Sequence, residues 1–346
     1  MKLIYDDIIY SLQRSGGISL YWSKIENYIK QDLRLLYKDH EKNIFFSSFN
    51  EKEEIKNNNK VFLERYKNIT LAENATFIFH SSYYRYCKNK KAINIITIYD
   101  FIYDYFRYDI KSIAHKIQKK NAIYHSDGVI FISESTKNDF HKLFPRYNGI
   151  EKVIYLGIAS DYNNLNISKK NNIVYIGSRA KYKNFLYAVN LLQRLPQFKF
   201  QIIGGGPLTK VEKANMNRCI PNRYEYYQSL SNKDLNLKYN EAFFLLYPSI
   251  YEGFGFPVIE AQAAGCPVIC CNTSSLPEVG GTAAIYISGK NIKDDLEKIK
   301  QLNDKTFYNN VLKKGFENCK RFSWKKCAEE TYNFYQEAYN LKNSKK

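Results

Sequence analysis

Short runs of β-branched and aromatic residues alternate along this chain with stretches whose apolar residues recur every three or four positions. The alternation constrains the fold more than any other feature. A strand followed by a helix that returns to the same sheet makes the next strand parallel, and parallel sheets are covered on both faces. In the first half, strands are expected at Leu3–Tyr5, Asn43–Phe49, Thr76–Phe79, Asn94–Tyr99, Gly128–Ile132 and Lys152–Leu156, with helices at Ile18–Ile29, Ile110–His125 and Ser135–Phe144. The second half repeats the pattern, with strands at Ile173–Ile176, Lys199–Ile203, Phe243–Leu246, Pro267–Cys271 and Ala284–Ile287. Helices are expected between them at Phe185–Leu195, Thr209–Met216, Lys233–Tyr239, Pro257–Ala264 and Ile292–Leu302, and a last one at Trp324–Leu341. A length of 346 residues suits two domains of the α/β class. The polar, aperiodic stretch 159–172 reads as the linker between a first domain, 1–158, and a second, 173–322. Residues 323–346 form a closing helix and tail, loose at Asn343–Lys346, and Glu51–Lys60 reads as a surface loop or frayed helix.

The charge balance points to an anionic partner. Lys and Arg number 52 against 34 Asp and Glu, a formal +18, and 31 Tyr and 22 Phe accompany them. Nucleic acid, a membrane surface, a phosphorylated small molecule or a merely solvated basic face would each account for this. The sequence has no zinc finger, no RNA-recognition signature and no basic helix interleaved with aromatics, which disfavours nucleic acid. Seven cysteines, an odd number, and the absence of any C-x-x-C pair argue for free thiols in a reducing, cytoplasmic setting, with no zinc site. The start, M-K-L-I-Y-D-D, does not read as a secretion leader. No apolar run approaches the ~20 residues of a membrane-spanning helix.

The densest chemical signal is Pro248-Ser249-Ile250-Tyr251-Glu252-Gly253-Phe254-Gly255-Phe256-Pro257-Val258-Ile259-Glu260-Ala261. It follows the apolar strand F-F-L-L-Y. Its two glycines let the backbone approach a ligand, and Pro257 suits the first turn of a helix that carries Glu260. A glycine loop and a helix N-terminus then meet at the carboxyl end of a parallel strand, where open α/β sheets bind ligands and where a phosphate is favoured. A carboxylate one turn into that helix can accept hydrogen bonds from two vicinal hydroxyls, as in a ribose.

This stretch resembles the E-x-seven-E signature of the retaining, nucleotide-sugar-dependent glycosyltransferases of the large "group 1" family. The resemblance implies their GT-B architecture: two Rossmann-like parallel-sheet domains facing a central cleft, with a C-terminal helix crossing back. It places Glu252 near the donor sugar and Glu260 on the ribose. Gly16-Gly17-Ile18 looks like the family's N-terminal glycine loop, which lies against the donor phosphates. Ile173–Asn184 (I-V-Y-I-G-S-R-A-K-Y-K-N) looks like the segment carrying its phosphate-binding Arg and Lys, roles that fall on Arg179 and Lys183, with Lys181 near enough to cover for either. Ile202–Pro207 and Ser275–Ala284 look like later family segments, the latter with Glu278 as a structural or sugar-proximal acid. Gly253, Phe254, Gly255 and Phe256 complete the expected donor-binding set. Such a site needs no cofactor and no metal, because Arg179 and Lys183 can neutralise the departing diphosphate. Asp6-Asp7 and Asp294-Asp295 read as surface acids, since no D-x-D motif closes a strand.

The resemblance assigns acceptor binding to the first domain. Many relatives carry a His-Asp pair where this chain has Tyr99-Asp100, so the contact made by that histidine is absent or passes to Tyr99. Asp100 can orient an acceptor hydroxyl or bond loop amides, and His80 reads either as a sugar- or acceptor-binding group or as a structural histidine. Ser133-Glu134-Ser135 resembles the family's S-E-x-[ST] turn, with Ser133 as a helix cap. The implied activity is transfer of a sugar, with retention, from a nucleoside-diphosphate sugar to a saccharide or lipid-linked saccharide. The basic charge adds an expectation of peripheral docking on the cytoplasmic face of an anionic membrane. The alternatives are an inactive sugar-nucleotide-binding protein and, less in keeping with the motifs, a nucleic-acid binder. Oligomeric state, donor base and sugar leave no readable mark.

Overall fold

The structure, a computed structural model, describes residues 1–47, 53–56 and 61–344. The chain forms two compact units, Met1–Gly157 with Ser323–Lys346, and Ile158–Phe322. Among the described residues, the first unit carries β1 (Lys2–Asp6), β2 (Leu33–Tyr37), β3 (Glu53–Lys56), β4 (Phe77–Ser81), β5 (Ala92–Ile98), β6 (Gly128–Phe131) and β7 (Ile150–Val153). They build one sheet in the order β3-β2-β1-β4-β5-β6-β7, with every pairing parallel. All of β4 and β5 is buried, His80, Ser81, Asn94 and Thr97 included, which is why these strands are mainly apolar on both faces.

Sequence reading missed β2 because Arg34 interrupts its pattern. The side chain of Arg34 is wholly buried, with Nε 2.7 Å from Asp7 and Nη2 2.9 Å from Glu26. Asp6 and Asp7, expected on the surface, are fully buried as well; Tyr37 and Ser81 donate to Asp6. Burial pushes the Asp7 carboxyl up to about 6 despite Arg34, and raises Glu26 beside it. The expected strand Asn43–Phe49 is not a strand where it is described. His40–Lys42 is a 3-10 turn, and the Asn43 side chain accepts the Phe45 amide at 2.8 Å, an Asx turn that diverts the chain; 48 and 49 lie outside the described residues. Within Glu51–Lys60, residues 53–56 are strand β3 and the others lie outside the described residues.

The helix Trp324–Ser344 belongs to this first unit. Its Tyr335 hydroxyl lies 3.1 Å from that of Tyr5 and 2.6 Å from His80 Nδ1, and Lys342 reaches Asp127 at 2.8 Å. Much of the aromatic excess sits here, as tyrosines buried with bonded hydroxyls: Tyr5, Tyr10, Tyr21, Tyr37, Tyr99 and Tyr335.

The second unit carries β8 (Asn172–Ile176), β9 (Lys199–Ile203), β10 (Tyr224–Tyr227), β11 (Phe244–Tyr247), β12 (Val268–Cys271) and β13 (Ala284–Ile287). They form a parallel sheet in the order β10-β9-β8-β11-β12-β13. The order reverses between β8 and β11, so the loops after these two strands flank the sheet's switch point. The helix Lys305–Cys319, absent from the expectations, packs against Phe256–Ala263. The stretch 159–172 has no regular structure before Asn172, yet it is fastened to this unit rather than strung between units. Asn240 Oδ1 accepts the Leu165 amide at 2.7 Å, and Lys169 donates to the Gly265 carbonyl at 2.6 Å. Asp295 is fully buried rather than superficial; it accepts from the amides of Ser288 and Gly289 and from Tyr187.

Candidate active site

The site is built from the loops that leave β8, β9, β11 and β12 at their carboxyl ends. After β8 the chain turns at Gly177 and passes through the 3-10 turn Lys181–Lys183. Asn184, in the left-handed region at φ +56°, then opens the helix Phe185–Gln193. This turn separates the two lysines that sequence left interchangeable. Lys181 is exposed, whereas Lys183 points inward, with Nζ 2.5 Å from Glu252 Oε1 and 3.1 Å from the Tyr247 hydroxyl. The side chains of Lys183 and Glu252 are 12% and 9% exposed, so their charges meet in a largely dry corner at the mouth of the sheet.

Glu252 is held from its backbone. Its amide donates to Ser274 Oγ at 2.9 Å, and its carbonyl, with that of Phe254, accepts from the buried Ser275 hydroxyl. Gly255 sits at φ +109°, a conformation L residues rarely adopt, and a Cβ there would lie 3.0 Å from Leu276. It caps the helix Phe256–Ala263, which has proline in its first turn, so its first-turn amides point toward the loop that holds Gly253 and Glu252. Phe254 is buried, its ring 5.5 Å from Phe256 and 5.6 Å from Phe322; it anchors the loop.

Glu260 lies one turn into this helix. Its carboxyl accepts from Tyr239 at 3.2 Å and is also hydrogen-bonded by Tyr162. Burial outweighs these two donors and pushes the carboxyl up to about 7.

Arg179 occupies a different position from the open clamp expected of it. Its Nε donates to Glu212 at 2.8 Å, Nη1 to the Gly204 carbonyl, and Nη2 to the carbonyls of Gly205, Gly206 and Pro207. Gly204, Gly205 and Gly206 have φ of +82°, +78° and +75°, and a Cβ on Gly205 would come within 2.6 Å of both Arg179 Nη1 and the Gly177 carbonyl. The guanidinium therefore braces the glycine turn after β9, and its charge reaches a ligand there only by exchanging carbonyl partners.

The remaining expected residues lie elsewhere. Glu278 is on the short helix Leu276–Gly280, where its carbonyl accepts from Arg321. Gly16 precedes and Gly17 begins the helix Gly17–Glu26 of the first unit. Asp100 uses Oδ1 to accept the Ile102 amide at 2.9 Å. Ser133 caps the helix Glu134–Leu143 by accepting the Thr136 amide. Of the two roles open to His80, its surroundings fit the structural one and not a ligand-facing, catalytic one. It is fully buried, Nδ1 is bonded to Tyr335 and Nε2 to Thr97 at 3.0 Å, and its ring lies 4.6 Å from Trp22. Burial lowers its pKa to about 3, which keeps it neutral. Tyr99 is likewise closed in, its hydroxyl accepting from Trp22 Nε1 at 2.8 Å.

Sequence reasoning passed over Tyr247, Glu212, Ser274, Ser275, Tyr162 and Tyr239. Tyr247, as the last residue of an apolar strand, carried a usable signal. Tyr162 carried none, because its segment read as a linker. Among the described residues, no three His, Cys, Asp or Glu side chains are grouped so as to hold a metal ion, and no helix is long and apolar enough to cross a membrane. All seven cysteines are free.

Comparison with known proteins agrees with this fold. Residues 159–317 match the family described as glycosyl transferases group 1. The chain is 33% identical over 175 residues to the O-antigen chain mannosyltransferase B of Escherichia coli, covering 47% of this chain and 45% of that protein. That match therefore spans less than half of the relative. An uncharacterized glycosyltransferase of Methanocaldococcus jannaschii is 26% identical over 97% of this chain and 98% of its own length. The solved structure of Anabaena HepE in complex with UDP and glucose shares the fold, with a TM-score of 0.71 at 14% identity over 97% of this chain and 99% of that one. With two Rossmann-like parallel sheets, a glycine loop bracketed by Glu252 and Glu260, and these relatives, the chain has the GT-B fold, and its residues 159–317 match the group 1 glycosyltransferases.

Proposed function

We propose that the protein transfers a hexosyl residue from a nucleoside-diphosphate sugar to a hydroxyl of a saccharide or lipid-linked saccharide, with retention of anomeric configuration and without a metal ion. The carrying observation is the 2.5 Å pair of Lys183 and Glu252 at the switch point of the second sheet. Breaking the glycosyl–phosphate bond leaves a diphosphate that gains negative charge, and a fixed ammonium beside it lowers the barrier without reorganising. Lys183 supplies that ammonium. Glu252 holds it in place and lies where a donor sugar would sit above the Gly253–Gly255 loop, while Glu260 receives the ribose hydroxyls. Arg179 adds positive potential to the neighbouring glycine turn. Attack on the face the diphosphate leaves, with that diphosphate taking the acceptor's proton, gives retention with no covalent enzyme intermediate.

The names of the relatives select the first substrates to try. The Escherichia coli relative is called an O-antigen chain mannosyltransferase, and HepE was solved with UDP and glucose. A polysaccharide acceptor on a lipid carrier would place the enzyme at a membrane surface. The test is a thermal-shift screen with UDP, GDP and ADP, followed by transfer assays with their mannose and glucose esters, with and without a chelator. Nucleotide binding with turnover unaffected by chelation is expected, and the anomer of the product reports retention. Binding with neither transfer nor hydrolysis would make the protein an inactive sugar-nucleotide binder.

A further inference from the structure

The helix Ile110–Tyr124 of the first unit is turned inside out. Its buried side carries Ser112, His115 and Lys119 beside Ala122 and Ile123. Lys119 pairs with Asp104 at 2.5 Å and donates to the Asp100 carbonyl. His115 stacks on Tyr103, ring centres 4.3 Å apart. The apolar residues face outward: Ile110 is 85% exposed, Ile113 51%, Ile117 64% and Tyr124 45%. At 3.6 residues per turn these four fall within about 60° of arc, in a stripe about 20 Å long. Tyr108, 80% exposed, extends the stripe beyond the helix N-terminus. Scattered exposed isoleucines need no explanation, but such a stripe, interrupted by Lys120 and Asn121 between Ile117 and Tyr124, over a largely polar inner face does.

The charges along this segment are mostly basic. Residues 105–126 contain Arg107, Lys111, Lys116, Lys119 and Lys120 against a single acid, Asp109, whose side chain caps the helix through the Ser112 amide. Arg107, Lys111 and Lys120 are exposed. Beside the helix lies a groove of about 600 Å³ whose lining includes Tyr66, Ile117 and Tyr124, the Lys120 ammonium and the amides of Asn68, Gln118 and Asn121.

We propose that this face docks on an anionic lipid bilayer, with Tyr108, Ile110, Ile113 and Ile117 inserted at the headgroup boundary and Arg107, Lys111 and Lys120 on the lipid phosphates. A stripe of large apolar side chains with a basic border matches a surface that is apolar beneath a negative layer. The inference rests on the membrane-surface setting given above and assigns it to particular residues. It also gives a small part of the chain's +18 charge a location. The inner face of the same helix is tied to Asp100 and Asp104, so docking would hold the loop after β5 near the bilayer.

The test is flotation of the full-length protein with vesicles of phosphatidylcholine alone and with phosphatidylglycerol added. Binding is expected only with the anionic lipid and should fall as salt rises. Ile113→Ser and Ile117→Ser should each weaken it on the order of tenfold. Lys111→Gln and Lys120→Gln should each weaken it roughly fivefold. Melting temperatures should stay unchanged, since all four side chains are exposed. Equal binding by wild type and the double isoleucine variant would overturn the proposal. So would a wild type that dimerises without binding vesicles while the variant is monomeric. Donor hydrolysis measured without vesicles separates this from the transferase reading: hydrolysis with no vesicle binding sinks only the docking face, and vesicle binding with no hydrolysis or transfer sinks only the activity.

Discussion

Replacing Lys183 by methionine removes one ammonium and keeps most of the side-chain volume. Nζ lies 2.5 Å from Glu252 Oε1, and both side chains are about nine-tenths buried. With charge centres ~4 Å apart and an effective dielectric of ~20, the gross attraction is about 4 kcal/mol. Part of that offsets the desolvation of the two groups, so the pair's net worth is smaller. Removing one partner leaves Glu252 desolvated and unpaired, which should cost about 2–4 kcal/mol, the low end of the buried range because a tenth of each side chain still meets water. Glu252→Gln should cost less, since an amide can still accept from Lys183. In the double variant no lone charge remains, so the two losses should fall short of their sum by roughly 1–2 kcal/mol.

Turnover should behave differently. If Lys183 stabilises the departing diphosphate, kcat/KM should drop by about 10²–10³-fold in Lys183→Met, and the double variant should recover none of it. Unfolding in urea can be followed by circular dichroism for the whole chain and by tryptophan fluorescence for the first unit, because both tryptophans, Trp22 and Trp324, lie there. The circular-dichroism transition should shift while the fluorescence transition stays put. Strict additivity of the two stability losses, or a Lys183→Met enzyme that turns over at the wild-type rate, would refute the reasoning.

Three further outcomes follow from the same geometry. Glu260 is raised to about 7 while its unfolded value is near 4.5, so the folded chain holds a proton that the unfolded chain releases. Stability should therefore fall as pH rises from about 4.5 to 7, and nucleotide affinity should climb toward pH 7 as the carboxylate forms; Glu260→Gln should flatten both curves. His80 is depressed to about 3, so the unfolded chain binds a proton first as pH falls. First-unit stability should drop as pH falls below about 6.5. His80→Phe should remove that slope, cost about 1–3 kcal/mol for the stranded Tyr335 and Thr97 hydroxyls, and leave kcat unchanged at neutral pH. Gly205→Ala meets backbone at 2.6 Å whereas a Cβ on Gly206 meets nothing within 4 Å, although both have positive φ. Melting should show a loss of about 1–2 kcal/mol for Gly206→Ala and a clearly larger one for Gly205→Ala, with weaker nucleotide binding only in the latter.

Much of the second unit was legible, because strands buried on both faces and glycine turns at their carboxyl ends each leave a local mark. The pairing of Glu252 with a basic residue on the β8 loop was less legible. Lys181 and Lys183 differ only in which way a 3-10 turn aims them. Arg179 was expected as a phosphate-facing cation, but its Nη1 and Nη2 donate to carbonyls of a glycine turn 25 residues or more away in sequence, and its Nε to Glu212. His80 was left open between two roles, and the closing helix decided it by bringing Tyr335, 255 residues away, onto Nδ1.

Local patterning accounts for the order of strands and helices, the parallel sheets and the glycine loop between Glu252 and Glu260, since periodicity and backbone chemistry are properties of neighbouring residues. Which charges are sheltered and which face solvent depended on long-range packing. Arg34, Asp6, Asp7 and Asp295 are polar in composition and buried in fact, because partners from other elements satisfy them. Ile110, Ile113 and Ile117 are apolar and exposed, because Lys119 and His115 took the inner side of their helix. A sequence states what each side chain prefers, and the fold determines which preferences are met.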